Sequence, residues 1–182
     1  MTASAVVASS HGWEEAGRLA APMLGQVSAA VVTGADPDHA AHVALGIARA
    51  ECQRRSVALG DLVGDLAPLY AVAGGQDAFG ISDCFRTGLP LNDVARPDPE
   101  CDNLFILAAG TPPVATFDIL AHERWHRLVR GFADAGALLL LVAPLDAPGL
   151  DDLVRATDGM VVVATPAHRV RRFRLLATVD GV

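Results

Sequence analysis

Lysine is missing altogether: all 14 basic side chains are arginines. That absence removes the flexible ammonium that phosphate-cradling loops commonly send to the anion. Cysteine is scarce, with Cys52, Cys84 and Cys101 forming an odd set without CxxC spacing. Neither a disulfide framework nor a zinc ribbon is indicated, and all three are expected to be reduced and structural. No apolar run reaches the roughly 18 residues of a membrane-spanning helix. The opening MTASAVVASS lacks a basic start followed by a long apolar segment, so no secretory signal is expected. A cytoplasmic location follows, peripheral to the inner membrane at most, through a partner. Positive charge is in deficit, at a formal net charge of -7, which argues against nucleic acid as the main ligand. One basic cluster, Arg169, Arg171, Arg172 and Arg174, stands apart and suits acidic lipid, a partner's carboxylates or plain solvation.

What the chain does have is apolar residues, 52% of 182. A chain of this size buries about 70% of its unfolded surface, so residues 1–182 are expected to form one domain, with 1–24 as an N-terminal helical segment of it. The apolar excess favours a partner surface.

The organising stretch is Ser28 to Ala48. Ser28 to Thr33 is a β-branched apolar run bounded by Gly34, and Ala41, Ala44, Leu45 and Ala48 then recur at helical spacing. Strand, tight turn and helix in this order present backbone N–H groups to an anion at the helix N-terminus. The turn itself reads Gly34-Ala35-Asp36-Pro37-Asp38-His39-Ala40-Ala41-His42. It offers neither a lysine for phosphate nor a Ser or Thr for magnesium, and two carboxylates stand where the anion would sit. The expected nucleotide site is therefore vestigial, made of Gly34, Asp36, His39, Ala40, Ala41, His42 and Asp61.

Further strands are expected at Ser56–Gly60, Asn103–Ala108, Ala137–Val142 and Met160–Ala164. Helices are expected over residues 13–24, with Trp13, Ala16, Leu19 and Ala20 on one side, over Leu62–Val72 up to Gly74-Gly75, and near Ile81–Arg86. Others are expected over Thr116–Ala133, capped by Thr116, and over Gly149–Ala156. Residues 76–102 read as a long surface excursion. Five strands alternating with helices specify an α/β, doubly wound, mainly parallel sheet flanked by helices. Asp61 falls at a strand's carboxyl end, where open α/β sheets bind ligands, as a helix cap, turn residue or magnesium ligand.

In order, these segments resemble the bacterial tyrosine kinases of capsule and exopolysaccharide systems, relatives of the MinD and ParA ATPases. Glu15-Ala16-Gly17-Arg18-Leu19 is similar to EAYRTLR, which in the family helps assemble a ring; its second Arg falls at Ala21. Val57 to Gly74 is similar to VLLIDADLRRPSLHRLFG, with Asp61 at the first magnesium-associated Asp and Val63 at the second. Gly80 to Phe85 resembles GLSDVL, Asn103 to Gly110 resembles NLDVLPAG, and Glu123-Arg124 falls in an SER segment. Leu138 to Leu145 takes the place of LVIIDTPP, which puts Val142 at the metal-positioning Asp. Anchored on the helix, the loop places Ala40 at the lysine and Ala41 at the Ser/Thr; anchored on the strand, it places Ala41 and His42 there. The tyrosine-rich tail has no counterpart, Tyr70 being the single tyrosine.

The resemblance implies a P-loop NTPase-like three-layer sandwich, Glu15 and Arg18 at an oligomer interface, and no retained cofactor beyond a weak Mg-nucleotide. It further implies a catalytically inactive binding or regulatory subunit in exopolysaccharide or capsule synthesis, partnered by a membrane polysaccharide co-polymerase. Weak nucleotide binding is one alternative. The other is a zinc hydrolase through His122, Glu123 and His126, since HERWH matches the H-E-x-x-H pattern in which histidines four apart share a helix face. The apolar Phe173, Leu175 and Leu176 near the C-terminal end suggest an uncovered edge or face, and with it a homo-oligomer, most simply a dimer.

Overall fold

The computed structural model describes residues 4–8, 12–73 and 78–181. Strand β1 (Ser4–Ala8) and helix α1 (Gly12–Ala20) come first, then β2 (Ala29–Gly34) and α2 (Pro37–Glu51). Strand β3 (Val57–Asp61) leads to α3 (Ala67–Ala73), α4 (Ile81–Thr87) and α5 (Leu91–Val94). A hairpin of β4 (Ala95–Asp98) and β5 (Cys101–Leu107) precedes α6 (Phe117–Leu120) and α7 (Arg124–Asp134). The described chain closes with β6 (Leu138–Val142), α8 (Leu150–Ala156), β7 (Met160–Val163) and β8 (Leu175–Gly181).

All eight described strands form one sheet in the order β1-β8-β7-β2-β6-β3-β5-β4, parallel except for β4 on β5. The middle strands β2, β3, β6 and β7 are buried throughout, as their unbroken apolar runs require of a sheet covered on both faces. Alternate residues serve opposite layers. Ala30, Val32, Leu138 and Leu140 meet α1, α2 and α3, whereas Ala29, Val31, Leu139 and Leu141 meet α4 to α8. The expected three-layer α/β sandwich is present.

Helix α1 lies along α2 with almost no space between backbones. A Cβ on Gly17 would stand 2.1 Å from Val43 O, and one on Gly46 would stand 1.9 Å from Glu14 O. Ala16, Gly17 and Ala20 are buried there, while Leu19, expected on the same side, is exposed.

Several expectations are corrected. No strand is expected at β1 or β4, the segment of Leu175 and Leu176 is the strand rather than the helix of its two expected forms, and within residues 1–24 the described residues 4–8 are a strand ahead of α1 rather than part of one helical segment. The helix expected from Leu62 starts only at Ala67, because Asp61 draws the N–H groups of Val63 and Gly64 into a turn with left-handed backbone at Gly64 and Asp65. Its expected end, Gly74-Gly75, lies outside the described residues.

The helix expected over Thr116–Ala133 is two helices. Trp125 Nε1–H reaches back to Ile119 O at 2.8 Å, and Arg124 donates to Cys84 O and Leu89 O, which turns the chain at residues 121–123. Thr116 precedes α6 without a side-chain cap bond, and Phe117 is exposed. Leu175 and Leu176 belong to β8, which is interior because β1 pairs alongside it. Finally, Cys52 and Cys101 form a disulfide with a Cα–Cα distance of 6.7 Å, and only Cys84 is a buried free thiol. Fold proximity at the end of α2 and the start of β5 brings together cysteines whose spacing carried no signal.

Candidate functional site

The expected site lies at the carboxyl ends of β2, β6 and β3, adjacent in the sheet. At the end of β2, Gly34 is required by packing: a Cβ there would stand 2.5 Å from Val163 O on β7. The buried Thr33 hydroxyl donates to Ala143 O at 2.8 Å, and Ala35 N–H donates to Thr165 Oγ1 at 3.0 Å, so the loop is tied to both neighbouring strand ends.

Asp36 is the N-cap of α2. Its Oδ1 accepts from Asp38 N at 2.9 Å and His39 N at 3.3 Å, and Pro37 provides a preset first helical residue. The chain thus supplies its own anion to the helix end that would otherwise face phosphate. His39 lies with Nε2 3.7 Å from Asp36 Oδ2, and its ring stacks on Trp13 with centroids 4.6 Å apart. Ala40 and Ala41 are buried in the core under α2, so either alignment of the missing lysine places it at or beside a position that faces the sheet. His42 is half-buried.

Val142 ends β6 beside Asp61 in the register of β3, and it is fully buried. An apolar side chain therefore occupies the position that the resemblance assigns to the metal-positioning carboxylate. Asp61 is buried, and its Oδ1 accepts from Val63 N and Gly64 N at 2.8 Å each. Among the described residues its Oδ2 has only a 3.5 Å approach from Leu66 N. Burial pushes the Asp61 carboxyl above its usual range, with Asp65 adding to the rise, against the lowering pull of those N–H groups. The turn role is realised.

Beyond Asp61, a cavity of about 360 Å³ opens at the carboxyl ends of β3 and β5. Sequence reasoning missed it, because its walls come from two distant loops of unremarkable composition. One wall is the segment from Ala108 to Ala115, held by the α4 entry. Asp83 Oδ2 accepts from Gly80 N and Thr111 N, Ser82 donates to Thr111 O, and Arg86 donates to Thr111 O and Pro113 O. Burial would raise the Asp83 carboxyl, but the donors Gly80 and Thr111 outweigh it and hold it below the usual range.

The other predicted residues do not gather at this end. Glu15 and Arg18 sit on α1, where Arg18 pairs with Glu14 at 3.1 Å and approaches Glu15 at 4.0 Å, and Glu14 also meets Arg49 at 2.9 Å. His122 precedes α7 and accepts the N–H of Arg124 at Nδ1, so it does not share a helix face with His126. Among the described residues, no group of three or more His, Cys, Asp or Glu could hold a metal ion. Of the terminal arginines, Arg169 pairs with Asp146 at 2.7 Å and Arg172 with Asp151 at 2.9 Å. No described helix is long and apolar enough to cross a membrane.

No family model and no curated protein sequence matches the chain. Solved structures do. The kinase domain of the Escherichia coli tyrosine kinase ETK superposes with a TM-score of 0.73 at 17% identity, over 93% of this chain and 75% of that one. The VpsO kinase domain gives 0.68 at 17% identity, covering 93% of both chains, and the BceF tyrosine kinase domain gives 0.64 at 17% identity, over 92% and 74%. The chain therefore carries the fold of the bacterial tyrosine kinase domains.

Proposed function

We propose that this protein is a catalytically inactive, tyrosine-kinase-like subunit that acts by binding, within bacterial exopolysaccharide or capsule synthesis or export. The observation that carries the reading is Asp36, whose carboxylate caps the helix end where a nucleotide phosphate would dock. Around it, the transferring charge of a phosphoryl group would find no lysine, no loop hydroxyl and no second carboxylate for magnesium. The pathway rests on the kinase-domain fold and on the sequence resemblance, and its partner would be a membrane polysaccharide co-polymerase.

The test is direct. Purified protein is expected to hydrolyse ATP and to phosphorylate tyrosine no faster than a blank preparation; turnover well above blank defeats the reading. Pull-downs from the native host are expected to recover a membrane polysaccharide component, and deletion to change polymer output. Failure of both removes the pathway assignment while leaving the inactivity standing.

A further inference from the structure

We propose that the cavity at the carboxyl ends of β3 and β5 binds a small organic ammonium compound. Its charged end would meet Asp61 and Asp65, and its apolar body would lie on the Pro112–Val114 wall. The cavity is about 360 Å³, within the size range of small-molecule sites. Its lining is divided by chemistry. Asp61, Asp65 and the Tyr70 ring lie on the α3 side, whereas Pro112, Pro113 and Val114 belong to the loop after β5.

The charges decide the ligand's sign. Among the described residues, two carboxylates line the cavity and no arginine or histidine does. Arg86, which holds one wall from behind, is committed to the carbonyls of Thr111 and Pro113. An anion such as a nucleotide would meet only repulsion. A bare metal ion suits the site no better, because no described group of three or more acidic, histidine or cysteine side chains is placed to hold one. An organic cation satisfies both halves of the lining.

The carboxylates also have capacity to spare. Asp61 is buried, and its Oδ1 is committed to the turn, but among the described residues its Oδ2 has only the distant approach of Leu66 N at 3.5 Å. Such a poorly satisfied buried oxygen gains most from a charged donor. Asp65 stands exposed at the rim, and the Tyr70 hydroxyl makes a close hydrogen bond to its Oδ1. The chain's lack of lysine means that no internal ammonium can fill this role. The proposal does not depend on the chain being inactive.

Isothermal titration calorimetry on the full chain tests it, with n-butylammonium chloride as ligand and n-butanol as the uncharged control. A lysine-containing tripeptide amide forms a third arm. Saturable binding of the amine is expected, with none for the alcohol. A preference for the free amine identifies a small metabolite as the source, and a preference for the peptide identifies a side chain; both support an ammonium site. Asp65→Asn keeps a residue that tolerates the left-handed backbone at this position, where φ is 60°. It is expected to weaken amine binding about tenfold without a change in melting temperature. Ala115→Leu, which narrows the cavity, should weaken it too. Equal binding of butanol and amine, unaltered affinity in both variants, or no saturation at roughly tens of millimolar amine would overturn the proposal.

Discussion

Asp36 satisfies the first N–H groups of α2 with its carboxylate, and on the proposed function it also stands where a phosphate would dock. Asp36→Ala is expected to lower stability by about 1 kcal/mol, read from the urea midpoint. Millimolar Mg-ATP or Mg-ADP should leave the wild-type melting temperature unmoved, since a ligand raises it only by binding the native state. Asp61 makes the opposite electrostatic case. Burial raises its carboxyl above the 3.8 of an ordinary aspartate, so the folded state prefers it protonated. Its contribution to stability is full below about pH 4 and is lost as pH rises through the folded-state value. Asp61→Asn escapes that loss and can still accept the Val63 and Gly64 N–H groups. The variant should therefore gain on wild type in urea midpoint between about pH 4 and pH 7, and a gap that is constant or reversed would contradict this account. Glu14 behaves the other way: burial is outweighed by the Arg49 and Arg18 hydrogen bonds, and its contribution is lost on acidification.

At the scale of elements, the α1–α2 crossing depends on two glycines. Gly46→Ala would force a methyl into the backbone of Glu14 and should cost about 1–3 kcal/mol in a chemical denaturation experiment, chiefly by lifting α1 off α2. Strand–turn–helix at residues 28–48 was legible because its cues are local: a β-branched run, Gly34 as its bound, then helical periodicity. The four other expected strands appear within two residues of their expected ends for the same reason. What stayed hidden depends on distant partners. The helix break at residues 121–123 is made by Trp125 and Arg124 reaching other elements, and helical periodicity runs straight through it. The same break separates His122 from α7, so His126→Ala should leave zinc content, measured on untagged protein, unchanged and sub-stoichiometric. At the site, the apolar side chains at Ala40, Ala41 and Val142 could be read residue by residue, whereas the β3–β5 cavity could not. Its walls meet only after the sheet has formed.

Over the whole molecule, the Cys52–Cys101 bridge ties the end of α2 to β5 across a sequence separation of 49. Closing a loop of that length restricts the unfolded chain by about 4 kcal/mol on the chain-entropy model, so reduction should lower the melting temperature markedly. We also propose that the protein self-associates through the α1 surface carrying Glu15 and Arg18. Light scattering over a dilution series checks it, and a persistent monomer at roughly tens of micromolar would count against it. The β8 strand is paired with β1, which forms the edge among the described residues, and the opposite edge, β4, carries Pro97, which cannot donate to a further strand. The two tryptophans fall in different helical layers: Trp13 stacks on His39 over one face, and Trp125 is buried in the other. The molecule thus carries a fluorophore on each side of its sheet, and single-tryptophan variants can follow each layer by emission as denaturant rises. Superimposable curves would mean that the sheet melts with both its coverings, and separated ones that a layer can peel away while the other holds.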